Sequence, residues 1–149
     1  MRRFPVAIAL VAALAVPSAA VVGLSGTAGA VVLGSSCAKL TGTASTTVTI
    51  SVCSPKVATY ASATGTSAAL LNGGTLTWST SKKTTVIAKP TVTSVTPNTC
   101  ASGSSEIKAV GKITGGTATY TKAGTTFTAY VCVTSAGALS LAPGKKATF

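Results

Sequence analysis

Residues 37–53 read CAKLTGTASTTVTISVC, a near-palindrome of β-branched and small residues with a cysteine at each end. Folded about Ser45, the stretch sets Cys37 against Cys53, Leu40 against Ile50 and Thr41 against Thr49, with Ala44-Ser45-Thr46 as the turn. That is the register of an antiparallel hairpin, and it brings the two sulfurs together across the strands. Cys37–Cys53 is therefore the expected bridge, which leaves Cys100 with Cys132. Four cysteines permit three connectivities, so the alternatives stay open at this stage.

The same chemistry continues along the chain. Thr, Ser, Ala, Val and Gly dominate, with Gly and Pro at intervals and no long helical period. Val48/Ile50/Val52, Leu76/Trp78, Ile107/Ala109/Ile113 and Phe127/Ala129/Val131/Val133 alternate as half-buried strands do. Strands are expected near 38–43, 47–53, 57–62, 74–80, 84–88, 91–95, 106–114, 117–122, 125–134 and 138–142. Asn72-Gly73-Gly74, Gly115-Gly116, Ala123-Gly124 and Ser135-Ala136-Gly137 carry turn chemistry between them. Ser67 to Leu71 is the one helix-tolerant stretch, and it is only a turn long. Many short strands at this spacing predict an all-β fold, an antiparallel β-sandwich (immunoglobulin-like or related) stapled by two disulfides. Most of the aromatic residues Tyr60, Trp78, Tyr120, Phe127, Tyr130 and Phe149 are expected in the core, with Trp78 as its anchor, and Tyr120 and Tyr130 are the alternative flanks of a ligand cleft.

A rival pairing follows from a resemblance. TVTISVC (47–53), Trp78 and YVC (130–132) resemble the Cys…Trp…Tyr-x-Cys order of immunoglobulin domains, which would join Cys53 to Cys132 and Cys37 to Cys100.

The first thirty residues have the layout of a secretory signal peptide. Arg2 and Arg3 form a positive start, Val6 to Val16 an apolar run, and Ala28-Gly29-Ala30 a small-residue cleavage site. Ser18-Ala19-Ala20 offers a second site, so cleavage falls between about Ala20 and Ala30. Pro17 interrupts the apolar run before it reaches spanning length, and no membrane span is expected in the mature form. The domain plan is thus a signal peptide over 1–30 and a secreted domain over 31–149. Leu33-Gly34-Ser35-Ser36-Cys37 resembles a lipobox, but its leucine stands four residues before the cysteine rather than three. Export and paired cysteines agree, because disulfides persist in oxidising compartments. The expected location is secreted or associated with the cell envelope.

Much chemistry is excluded by what the chain lacks. It has no His, and Glu106 is the only acidic side chain among 149 residues. A Ser-His-Asp triad cannot be assembled, nor a paired-carboxylate glycosidase site. Metal sites built from several carboxylates, or from His and free thiolates, are equally out of reach. Ser81 beside Lys82 is an adjacency that chance supplies in a chain so rich in serine and lysine. No enzyme, catalytic residue, cofactor or metal is expected, and Glu106 is expected at a strand start beside a lysine.

The formal charge is +11, of which two units belong to Arg2 and Arg3. The rest comes from Lys39, Lys56, Lys82, Lys83, Lys89, Lys108, Lys112, Lys122, Lys145 and Lys146, scattered rather than clustered. Such a field either keeps the protein soluble or attracts an anionic cell-envelope polymer or an acidic protein. Lys108 and Lys112 share one face of an expected strand and are the candidate anionic-partner contacts. Nucleic acid is not an expected partner. Arginine is missing beyond Arg3, and no aromatic residues interleave with the lysines as stacking platforms.

SCAKLTGT (36–43), LLNGGTLTWS (70–79), SVTPNTC (94–100) and AYVCV (129–133) together resemble small secreted proteins of high-GC Gram-positive, actinobacterial origin. These have no assigned function, so the resemblance names no chemistry. In composition the chain is also similar to antibiotic carrier proteins of the neocarzinostatin type, although those are acidic with shorter cysteine loops. The expected function is that of an exported, non-catalytic binding or structural protein. The alternatives are a small-molecule carrier with a cleft between sheets, lined by Tyr120 and Trp78, or a secreted protease inhibitor presenting Lys56 or Lys82-Lys83.

Overall fold

A computed structural model describes residues 34–55 and 60–149. The expected signal peptide and its cleavage sites, Lys56, and the first half of the expected strand at 57–62 lie outside the described residues. The hairpin that opens the domain forms in the register its sequence sets. β1 (Ser36–Thr43) and β2 (Thr47–Ser54) are antiparallel, with Cys37 opposite Cys53 and Leu40 opposite Ile50. The bridges are Cys37–Cys53 and Cys100–Cys132. The immunoglobulin-like pairing does not form, and the Cys37 sulfur that a lipid would need is bonded to Cys53.

The chain continues through β3 (Ser62–Thr66), α1 (Ser67–Leu71), β4 (Gly74–Trp78), β5 (Thr84–Ile87) and β6 (Thr91–Ser94). It then runs through β7 (Ser104–Gly116), β8 (Thr126–Thr134), β9 (Ala138–Leu141) and β10 (Ala147–Thr148). The strands do not divide into two facing sheets. They pair in the order β8-β9-β1-β2-β3-β4-β5-β7, and β7 returns to β8, which closes an eight-stranded barrel. The expected sandwich is corrected to a barrel, and β7 is the cause. This strand is 13 residues long. Its C-terminal end pairs with β5 through Ile113, Gly115 and Gly116, while Lys112 back to Ser104 pairs with β8. Gly115-Gly116, expected as a turn, instead extends β7. Gly116 has φ 121°, and a Cβ there would collide with the Thr84 carbonyl, so only glycine lets the two strands meet.

Two short strands share the seam between β1 and β8. β10 sits opposite Ser36 and Cys37, and β9 opposite Gly42 and Thr43. Inside the ring Trp78, Phe127, Ile50, Leu76, Ile87 and Ile113 are fully buried. An eight-stranded barrel has an interior just wide enough for such side chains to fill. At one end α1 buries Ala69 and Leu70, and the Thr66 side chain caps it by accepting the Ala69 N–H. The expected strand at 117–122 is a loop at the other end. Its Thr117 and Ala118 N–H groups both donate to the Thr84 carbonyl. No helix among the described residues is long and apolar enough to cross a membrane.

Candidate functional site: a basic outer face

Alternation along β7 and β8 sorts the side chains. Ala109, Ile113, Phe127, Ala129 and Val131 go inward and are buried. Glu106, Lys108, Val110 and Lys112 therefore go outward, each opposite an outward residue of β8. Lys108 faces Tyr130, Glu106 faces Cys132, and Lys112 faces Thr126.

Lys108 is half-buried, with its Nζ 5.4 Å from the Tyr130 ring centroid. Lys145, from the loop between β9 and β10, brings a second Nζ to 5.1 Å of the same ring. One cation over a tyrosine is a favourable arrangement. Two cations at one ring also raise the local positive potential, which favours an anion nearby.

The seam beside this ring is open in its middle. Between the segments that β10 and β9 pair, Ala38–Thr41 has no partner strand on the seam side. A groove of about 520 Å³ lies there, lined by Lys39, Leu40, Leu141, Pro143, Lys145 and Lys146 among others. Three lysines converge on it and no carboxylate does.

Glu106, the one acidic side chain, does not line the groove, and its hydrogen bonds go to another loop. It is 3% exposed, and its Oε2 accepts the Thr99 N–H at 2.7 Å and the Thr99 hydroxyl at 2.8 Å. The backbone N–H of Thr99, then its hydroxyl, hold the Glu106 carboxyl below the ordinary value, against the opposing effect of burial and with help from Lys145. The expected lysine is present only as the nearby charge of Lys145, and Thr99 supplies both hydrogen bonds. Asn98 braces the same loop by donating to the Ser104 carbonyl and accepting the Cys100 N–H. Glu106 thus holds down a loop that the Cys100–Cys132 bridge fastens to β8.

Lys112 is exposed and belongs to a different place. With Lys89, Thr91, Val110 and Gly111 it lines a second groove of about 460 Å³ beside β6. The two lysines singled out from sequence share the outer face of β7 but serve separate clusters. Lys39, Lys145 and Lys146 were legible only as scattered charges, since no local signal joins residues from β1 and the β9–β10 loop.

The other sequence candidates occupy structural positions. Trp78 has no exposed surface, and its indole N–H donates to Thr85 Oγ1 at 2.9 Å. Tyr120 packs edge-on against Tyr60, with ring centroids 4.8 Å apart. Trp78 and Tyr120 therefore do not line a common open cleft. Ser81 Oγ accepts the Lys83 N–H, and Lys82 and Lys83 lie in a tight turn closed by Trp78 N–H to Lys83 O and Lys82 N–H to Trp78 O. Among the described residues no three of His, Cys, Asp and Glu gather as metal ligands would.

No family model, curated protein or solved structure matches this chain.

Proposed function

We propose that the chain is an exported, non-catalytic binding protein whose seam groove engages an anionic polymer of the cell envelope. The observation that carries this reading is the convergence of Lys39, Lys145 and Lys146 on one groove whose lining holds no carboxylate, beside a Tyr130 ring that two lysines share. A solubility device needs only dispersed charge. A cluster concentrates the positive field and raises the local concentration of an anion. The signal-like leader and the two disulfides agree with an oxidising, extracellular setting.

The test is retention on isolated cell walls and on a heparin-bearing resin at increasing salt. Retention should fall steeply, because the Debye length shrinks from about 10 Å at 0.1 M to about 3 Å at 1 M. Lys145→Gln with Lys146→Gln should weaken retention while shifting stability by no more than about 0.5 kcal/mol. No retention at low salt, or retention indifferent to salt, overturns the proposal.

A further inference from the structure

β6 lies outside the eight-stranded ring, attached to β7, and has an open outer edge among the described residues. It pairs with β7 on one side and with no strand on the other, and Thr91, Val92, Thr93 and Ser94 are all exposed. The alternation of ladder bonds tells which groups are free. Val95 donates to Glu106 O, so residues 91, 93 and 95 bond to β7, and Val92 and Ser94 turn their N–H and C=O groups outward. Natural edge strands are usually guarded by a lysine or proline within them, by a bulge or by a cover. This one reads TVTS, and Val92 is one of two exposed large apolar side chains among the described residues. The groove lined by Lys89 and Lys112 lies at its N-terminal end.

We infer that the β6 edge accepts an extended acidic peptide segment of another protein as an added strand. Backbone ladder bonds to Val92 and Ser94 would supply the affinity, as in other strand-addition complexes. Lys89 and Lys112 would select acidic side chains at the end of the segment that meets the groove. Charge decides the occupant. A second copy of this chain would bring the same strongly positive net charge to the edge, whereas an acidic segment meets no carboxylate, because Glu106 is buried under its own loop. This site is separate from the seam groove and takes a different class of partner.

The experiment uses the disulfide-bonded protein with a short peptide alternating Glu and Thr, a Lys-for-Glu version of it, and heparin. Amide hydrogen exchange at Val92 and Ser94 is followed by NMR. The Glu peptide should slow both amides, and the Lys version and heparin should not. Lys89→Gln and Lys112→Gln should each weaken Glu-peptide binding about twofold to fivefold. Ser94→Pro removes an outward N–H without touching the β7 ladder and should abolish binding. An unchanged unfolding midpoint would show that the variant still folds. Unaffected amides at high peptide concentration, equal protection by the Lys peptide or heparin, or protection that rises with protein concentration alone would each overturn the inference. Lys145→Gln with Lys146→Gln should leave peptide binding unchanged, so this site and the seam groove can fail separately.

Discussion

Thr85 serves two buried polar groups at once. Its Oγ1 accepts the Trp78 indole N–H and is hydrogen-bonded to the Thr121 hydroxyl, and Thr85 itself has no exposed surface. Thr85→Val keeps the shape and leaves the indole N–H without an acceptor, which should cost about 1–3 kcal/mol. Urea unfolding would measure the loss, with a change in Trp78 fluorescence as the local signature. Glu106 supports a prediction about pH. Its carboxyl is held below the ordinary value of 4.5, chiefly by the Thr99 N–H. A depressed folded-state value means a stabilising contribution that is complete above the unfolded value and is lost as pH falls through the folded one. Urea midpoints should therefore drop as pH is lowered below about 4.5. Glu106→Gln should flatten that dependence, and any α-carboxylate effect is common to both proteins and cancels. A variant as pH-sensitive as the parent would rule out Glu106 as the group responsible.

At the scale of elements, the two disulfides do unequal work. The chain-entropy relation gives about 3 kcal/mol for a loop the size of that between Cys37 and Cys53, and about 4 kcal/mol for that between Cys100 and Cys132. The first closes a hairpin that its own ladder already holds, whereas the second fastens the loop carrying Asn98 and Thr99 over Glu106. Cys100→Ala with Cys132→Ala should speed hydrogen exchange at Thr99 and Cys100 while leaving the β1–β2 amides protected. Equal acceleration in both places would mean that the loop and barrel melt as one unit. The hairpin was legible in the sequence because its whole pattern is local, a palindrome about Ser45. β3 at Ser62–Thr66 holds no large apolar residue to mark an alternation, so the sequence pattern points only to its first residue, and nothing in the pattern points to β10. Two residues cannot show a period, and Ala147–Thr148 forms a strand only because the seam offers it a partner.

The barrel as a whole was hidden for a related reason. Inward-outward alternation is the same in a sandwich and in a barrel, and only the pairing of the last strands with the first tells them apart. The basic face was hidden too, since Tyr130, Lys108, Lys39 and Lys145 come together only when β8 and β9 meet β1. Closure also singles out the C-terminal residues of the sequence. Phe149 is 4% exposed and donates its N–H to the Ser35 carbonyl. Its ring centroid lies 5.3 Å from that of Phe127 and 6.1 Å from that of Trp78. It therefore ties the seam to the barrel core from inside, while β10 bridges β1 and β8 in the wall. Phe149→Ala should cost about 3–5 kcal/mol, the range for emptying an aromatic site in a packed interior. Thr148→Ala, one residue earlier but facing solvent, should change stability by no more than about 0.5 kcal/mol. The contrast isolates the buried ring from its exposed neighbour on the terminal strand. If the seam is where the barrel opens, Phe149→Ala should also red-shift Trp78 emission and speed exchange at Ser36 and Cys37 before the β2–β3 amides respond. Equal costs for the two substitutions would mean that the barrel holds without its seam.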